Sequence, residues 1–207
     1  MSYDLPMPLR WLLRLVPLLL ASGCAFTSEV IRIEPVGSKG LPAVSGAESV
    51  TLRLGVADLR SERKQVIARK INGYGMQMAT ISSEDPIADV LGRAVTAELQ
   101  ARGYRVTNDG EVSLLLELIV FSHEFRTGFW TGKSEANVTF LATVRDRTGK
   151  ELFREVIFGP FEHTIALAGG ENVKKAYEGA LSIAAEKLVS SESFQRAVLA
   201  AIAVPIL

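Results

Sequence analysis

The sequence is short of cysteine and histidine and has no net charge. Its 207 residues include one cysteine, two histidines, 23 basic and 23 acidic side chains. One cysteine excludes a disulfide within the chain, so the protein must be stabilised by burying apolar side chains, and it is long enough to do so. The balanced charge shows no basic excess of the kind that binds nucleic acids or anionic lipid head groups. We therefore predict no nucleic-acid partner.

Residues that usually carry chemistry are also scarce. The two histidines, His123 and His163, belong to no HExxH zinc motif, and the sequence has no GxSxG serine-hydrolase motif. The segment TGFWTGKS at 127–134 resembles a phosphate-binding loop. However, its first glycine comes one position late, and a strand rather than a helix is predicted after it. The sequence predicts no catalytic residue, no bound cofactor and no metal ligand.

The sequence also lacks an apolar run long enough for a transmembrane helix. Arg14 interrupts the first apolar run and only about ten apolar residues follow, whereas a span needs about 20. Residues 1–23 instead have the pattern of a secretory signal peptide, with Arg10 and Arg14 before a short apolar segment at 15–21 and small residues after it. An ordinary secreted protein in which Cys24 is incidental is the alternative interpretation.

The segment Ala21-Ser22-Gly23-Cys24 resembles the lipobox of bacterial lipoproteins. The resemblance implies signal cleavage between Gly23 and Cys24 and a diacylglycerol bound covalently to the Cys24 sulfur. Stable anchoring takes about two acyl chains, so such a protein needs no spanning helix. The residue after the cysteine is Ala25 rather than Asp. By the same resemblance this implies the outer membrane, with the protein facing the periplasm, and no cofactor besides the lipid.

The remaining chain predicts one α+β domain. Residues 24–48 are interpreted as a lipidated N-terminus with a short strand and a linker rich in Gly, Pro and Ser, and residues 49–207 as a single periplasmic domain. Alternation at 50–56 predicts a strand with one buried face, and the apolar run at 114–121 predicts a central strand with both faces at least partly covered. The expected fold is a mainly antiparallel β-sheet with two longer amphipathic helices packed on one face.

Local signals give the boundaries of several elements. The Asn-Gly pair at 72–73 predicts a hairpin turn. For the first helix, Asp85 is the predicted N-cap, Pro86 the first helical residue and Gly103 the stop signal. A second helix is predicted at 171–190, and a third, shorter helix follows it directly.

Phe129 and Trp130 lie between two predicted strands. Their loop could present an aromatic patch to a protein partner or to the inner leaflet, because Trp favours positions that are half apolar and half wet. The alternative is that both rings fold back onto the core, where most large aromatic side chains are found.

Four segments after the lipobox together resemble a known family. They are VTLRLGVADLR at 50–60, KINGYG at 70–75, AELQARGYRV at 97–106 and EVSLLLELIVF at 111–121. In this order they resemble the YajG-type lipoproteins of Gram-negative bacteria. The resemblance implies an outer-membrane lipoprotein of unassigned biochemical role, and it lends no catalytic residues.

These observations favour a non-enzymatic protein that binds or scaffolds other proteins of the cell envelope. An exposed sheet edge would suit binding by strand addition. The alternative is a periplasmic carrier or sensor of an apolar ligand, which requires a sizeable apolar cavity between helices and sheet.

An enzyme is the least favoured class. Asp58 and Arg60 lie near a strand end and could form a functional pair, but a local salt bridge is the simpler interpretation. An active site would need a cleft that brings this pair together with a histidine.

Overall fold

The computed structural model describes residues 27–203, apart from residues 36, 39, 62–64, 72, 73, 75 and 128–130. The predicted signal peptide, with Gly23 and Cys24, lies outside the described residues. So do Phe129 and Trp130, and the Asn-Gly pair of the predicted hairpin turn.

The described chain contains eight strands, three α-helices and one short 3-10 helix, Ala47–Ser49. The strands are β1 Glu29–Ile31, β2 Thr51–Asp58, β3 Val66–Ile71, β4 Gln77–Ser83, β5 Arg105–Val106, β6 Val112–Thr127, β7 Gly132–Arg145 and β8 Glu151–Ile165. The helices are α1 Ile87–Ala101, α2 Gly170–Ser190 and α3 Glu192–Ile202. Within the described residues, no helix combines the length and the hydrophobicity that crossing a membrane requires.

The strands form two sheets. The larger sheet has the order β5-β2-β6-β7-β8, in which β2 is parallel to β5 and β6 while β6, β7 and β8 are antiparallel. The smaller sheet has the order β1-β4-β3, with β1 parallel and β3 antiparallel to β4. The predicted α+β class is confirmed, and most residue pairs are antiparallel, but both sheets are mixed and there are two sheets where the sequence predicted one. A parallel pair needs a long crossover, and the segment from β3 to β5 supplies it between β2 and β6.

The larger sheet is covered on one face. In β6, Leu114, Leu116 and Leu118 are fully buried, whereas Leu115 and Glu117 between them are only half-buried. Successive residues of a strand point to opposite faces, so the buried set faces the helices and the other set does not. β6 is central, as predicted. Its second face is partly covered at Leu115 and Glu117, as expected, and is exposed at Ile119 and Val120.

The space between the helices and the sheets is filled by large side chains. The ring of Phe121 stacks on Tyr177 with 4.0 Å between centroids, and the Tyr177 hydroxyl donates to the carbonyl of Ile67 at 2.8 Å. This contact joins β6, α2 and the smaller sheet. The largest fully buried side chains are Tyr177, Phe140, Phe194, Ile33, Leu52, Ile81, Leu91, Leu99, Leu114, Leu116, Leu118 and Leu181.

The start of α1 differs from the prediction by one residue. The carbonyl of Pro86 accepts hydrogen bonds from the N–H groups of Asp89 and Val90, at 3.0 and 3.2 Å, so Pro86 is the cap residue. The predicted N-cap, Asp85, makes no capping bond. Its carboxylate binds Arg93 at 2.6 Å instead, and this ion pair replaces the expected contact with the backbone.

The end of α1 is the predicted one. Gly103 has a φ of 95°, the left-handed conformation that glycine adopts without steric cost. The N–H of Gly103 donates to Gln100 and that of Tyr104 to Leu99, at 3.1 and 3.0 Å. These are the two bonds of a Schellman motif, which satisfies the last carbonyls of a helix.

β1 is tied to the rest of the domain by an ion pair. The buried Lys70 ammonium donates to one carboxylate oxygen of Glu29 and, at 3.2 Å, to the carbonyl of Thr27. The other Glu29 oxygen accepts the N–H of Gly170, at the start of α2, at 2.8 Å. The hydrogen bond from Lys70, helped by that from Gly170, holds the pKa of Glu29 below its ordinary value. The first described residues are thereby fixed to β3 and α2.

Candidate functional site

A groove of about 710 Å³ opens at the β2 edge of the larger sheet. It lies between β2 and α1 and is bounded at one end by β5 and the residues that follow it. We call it the edge groove. Leu54, Val56, Gly92, Thr96, Gln100 and Thr107 line it, together with their neighbours.

The edge groove exists because β5 is short. The β2–β5 ladder pairs Thr51 with Arg105 and Leu52 with Val106, and it ends there. A last hydrogen bond of 2.9 Å runs from the N–H of Thr107 to the carbonyl of Leu52. Beyond Leu52, no strand among the described residues lies beside β2 on this side. Half of β2 therefore forms an open edge.

The open edge exposes backbone donors and acceptors. In a strand, alternate residues bond to opposite neighbours. Leu52 bonds to the β5 side, whereas the N–H of Leu59 donates to Leu118 on the β6 side at 2.9 Å. By this alternation the N–H and C=O groups of Leu54 and Val56 point into the groove. Neither residue has a strand partner on that side in the part of the chain that the structure describes.

The side chains at this edge are incompletely covered. Leu52, Leu54 and Val56 share the inner face of β2, but only Leu52 is fully buried. α1 passes close above them, since a Cβ built on Gly92 lies 3.4 Å from a methyl carbon of Val56. The core thus ends at the groove with apolar side chains that another strand could cover.

A second candidate surface is the uncovered face of the same sheet. Val156 and Phe158 of β8 are 57% and 46% exposed. Phe158 lies opposite Thr139 of β7, and Thr139 lies opposite Val120 of β6. A register shift just before Val120 leaves Ile119 exposed beside it. We call Ile119, Val120, Val156 and Phe158 the outer apolar patch. Exposed apolar clusters on a protein surface commonly mark interaction sites.

The two histidines are joined through buried polar groups. His123 Nε2 lies 2.7 Å from the hydroxyl of Ser134, which donates to the carbonyl of Asn172 at 3.1 Å. His163 Nε2 lies 3.3 Å from the Asn172 side-chain oxygen. Burial, followed by repulsion from His163, lowers the pKa of His123 to about 4. His123 is therefore neutral at pH 7 and takes part in a structural network.

A smaller groove of about 400 Å³ runs between β3 and the end of β6 and has both Arg60 and His123 in its lining. Arg60 is held by Asp58, with Nε and Nη2 at 2.9 and 2.7 Å from the carboxylate oxygens. The guanidinium also lies 5.6 Å from the ring centroid of Phe121, in cation–π range. The Asp58–Arg60 pair is the local salt bridge that the sequence suggested. Because His123 Nε2 contacts the buried Ser134, this nitrogen is engaged within the protein.

No set of three or more His, Cys, Asp or Glu side chains within the described residues is arranged to hold a metal ion. The predicted site residues Gly23, Cys24, Phe129 and Trp130 fall outside those residues. Sequence reasoning missed both the edge groove and the outer apolar patch. The signals were the early end of the apolar pattern after Val106 and the consecutive apolar residues Val156, Ile157 and Phe158 of β8, which place apolar side chains on both faces.

Comparison with known proteins places the chain in a family. The family model Lipoprotein_16, an uncharacterized lipoprotein, matches residues 40–197. No curated protein matches the sequence. Among solved structures, protein XCC0632 from Xanthomonas campestris, of the DUF330 family, is similar with a TM-score of 0.54 and 14% identity, covering 77% of this chain and 92% of that one.

A minor lipoprotein from Acinetobacter baumannii is similar with a TM-score of 0.42 and 14% identity, over 70% of this chain and 92% of that chain. At these identities the likeness to XCC0632 shows the fold alone. The family match extends over both sheets except β1, over α1 and α2, and over the first part of α3, and it confirms the resemblance to YajG-type lipoproteins. The chain belongs to the Lipoprotein_16 family of uncharacterized lipoproteins.

Proposed function

We propose that this lipoprotein is anchored in the outer membrane, faces the periplasm and binds or scaffolds other envelope proteins without catalysing a reaction. The lipid is carried by Cys24 after cleavage behind Gly23. Membership of a lipoprotein family supports the anchor, since Cys24 is the only thiol in the chain. The residue after it, Ala25, supports the outer rather than the inner membrane.

The observation that carries the binding role is the outer apolar patch. All three helices pack on the other face of the larger sheet, so Val156 and Phe158 remain in water. Exposing large apolar side chains costs free energy that covering them with a partner recovers, at about 25 cal/mol for each Å². A patch of this kind, flanked by a charged residue such as Arg154, suits a protein partner.

The packing of the interior counts against the other two classes. A carrier of an apolar ligand needs empty space between helices and sheet, but this layer is filled by side chains such as Phe140 and Tyr177. An enzyme needs convergent groups that substrate can reach, but the Ser134 hydroxyl beside His123 is completely buried.

Crosslinking in cells tests this function. A photoreactive residue at Val156 should capture an envelope protein, whereas the same residue at Lys175, exposed on α2, should not. Cys24→Ala should move the protein from the outer-membrane fraction to the soluble fraction and abolish the Val156 adduct. Equal adducts from both positions, or unchanged fractionation of Cys24→Ala, would contradict the proposal.

Phe129 and Trp130 are proposed as a second contact with a partner or with the inner leaflet. Trp130→Ala should reduce membrane recruitment or the recovery of crosslinked partner relative to the unmodified chain. No change in either quantity would remove these residues from the proposal.

A further inference from the structure

We propose that the edge groove binds an extended segment of another polypeptide, which adds a strand to β2 in line with β5. The inference rests on the proposed binding function and makes it more specific. It defines the conformation of the bound segment, the main-chain groups that hold it and the side chains that it presents to the groove.

The chain itself begins the strand that the partner would continue. β5 takes the position beside β2 for two residues, and its ladder ends at Leu52. The chain then crosses back over β2, since a Cβ built on Gly110 would lie 2.3 Å from the carbonyl carbon of Leu52. Among the described residues, no strand continues the line of β5 beyond Thr107 beside residues 54–58. At about 3.3 Å a residue, that open edge is roughly 16 Å long.

The exposed groups select a polypeptide over other ligands. Leu54 and Val56 each direct an N–H donor and a C=O acceptor into the groove. An extended backbone repeats donors and acceptors at the same period as β2 and can pair with all of them. An acyl chain could cover the apolar side chains, but it would leave these backbone groups without hydrogen bonds.

The walls of the groove define the side chains of the bound segment. Every second residue would point towards α1 and lie against Leu54 and Val56, under Gly92 and Thr96. The absence of a side chain at Gly92 leaves room for small or β-branched residues such as Ala or Val. The intervening residues would point to the uncovered face. The expected partner sequence therefore alternates small apolar residues with unrestricted ones.

A library of random ten-residue peptides displayed on phage is a suitable probe. The full chain, purified from membranes in detergent, is immobilised and used for selection. Thr96→Trp places an indole in the groove, and Lys175→Trp places one on the exposed face of α2 as the matched control. Selected peptides are then synthesised with N-methyl groups on either the odd or the even residues, which removes the backbone donors of one strand edge at a time.

We expect enriched peptides with alternating small apolar residues that bind the Lys175→Trp chain and the unmodified chain equally. Binding to Thr96→Trp should be at least about tenfold weaker, which corresponds to the loss of one or two hydrogen bonds. One N-methyl series should lose binding and the other should keep it.

Three results would overturn the inference: no enrichment, equal binding to Thr96→Trp, or equal sensitivity to both N-methyl series. Each would leave the Val156 crosslinks of the proposed function unaffected, because those depend on the outer face of the sheet. Loss of the Val156 crosslinks with retained peptide binding would instead contradict the proposed function alone.

Discussion

The two edges of the larger sheet are built in opposite ways. At one edge, β2 is accompanied by only two residues of β5 and then by the edge groove. At the other edge, β8 runs for 15 residues and carries the exposed charged residues Arg154, Glu155 and Glu162. It also contains Pro160, which has no N–H to offer to a neighbouring strand.

Charges and proline are the usual means by which an edge strand avoids pairing with other chains. β8 has both, whereas the open half of β2 presents the apolar residues Leu54 and Val56. The difference indicates that pairing is prevented at one edge and permitted at the other. Strand addition at a single edge gives a complex of limited size, because β8 at the other edge does not pair with a further strand and the sheet cannot grow there.

The largest effect should come from the packing of α2 on the β8 edge. A Cβ at Gly159 would lie 2.4 Å from the carbonyl oxygen of Ala180 and 2.9 Å from the backbone nitrogen of Ala184. Gly159→Ala should therefore push α2 away from β8 and lower the free energy of unfolding by about 3 kcal/mol. Urea unfolding followed by circular dichroism measures this change.

The matched control lies on β2. A Cβ at Gly55 would meet only a methyl group of Leu115, at 3.5 Å, which is an ordinary contact. Gly55→Ala should change the free energy of unfolding by less than about 0.5 kcal/mol. If the two variants are equally stable, the contrast in packing between the two edge strands is not real.

Acid should weaken the contact between β6 and β7 through His123. Its pKa is about 4 in the folded protein against an ordinary value of 6.5. Between these values the unfolded chain binds a proton that the folded protein does not, so stability is complete above pH 6.5 and falls towards pH 4. The ring is partly exposed, and the expected loss is about 2 kcal/mol.

Urea midpoints measured between pH 7.5 and 4 give this loss. His123→Gln should remove its contribution and flatten the dependence on pH, because glutamine does not titrate. A variant with the same pH dependence as the unmodified protein would assign the loss of stability to other groups.

Removing the proline should weaken the protection of the β8 edge. Pro160→Thr restores an N–H and a residue type that favours strands. The variant should self-associate about tenfold more strongly, the equivalent of one or two additional hydrogen bonds. Sedimentation velocity over a range of concentrations measures the association. An unchanged monomer would show that the charged residues protect this edge without the proline.

The smallest effect should be a gain in stability at the edge groove. Gly92 lies within α1, and a Cβ there would meet Val56 at 3.4 Å. Gly92→Ala should raise the free energy of unfolding by up to about 1 kcal/mol, because alanine loses less backbone entropy in a helix. The same substitution narrows the groove, so peptide binding should weaken slightly while stability rises. A loss of stability would show that α1 lies closer to β2 than this geometry allows.

The parts of the fold that local signals define could be predicted from the sequence. Alternation identified β2, and Gly103 marked the end of α1 because a left-handed residue there strongly favours glycine. Asp85 was a misleading signal for an N-cap, since its carboxylate pairs with Arg93, eight residues further along the chain. Nothing in β2 itself states that its neighbours β5 and β6 run parallel to it, because that pairing depends on where the chain returns after α1.

The candidate surfaces depend on relations that no local pattern contains. Val156 and Phe158 look like buried strand residues until the positions of all three helices are known. The edge groove begins where β5 ends. That position depends on the pairing of Val106 with Leu52, and the residue type of Val106 alone does not determine it. In the same way, His123 and His163 come together only through Ser134 and Asn172, which lie on other elements.

If Cys24 carries a lipid, the ion pair of Glu29 with Lys70 also limits how far the domain can move from the bilayer. Thr27, held by the same ammonium group, follows Cys24 by three positions. A fully extended chain of that length reaches about 10 Å. The chain between Cys24 and Thr27 would then hold the domain at a distance from the lipid smaller than the width of the domain. This distance could increase only if the ion pair breaks. Partners would then have to be engaged close to the membrane surface.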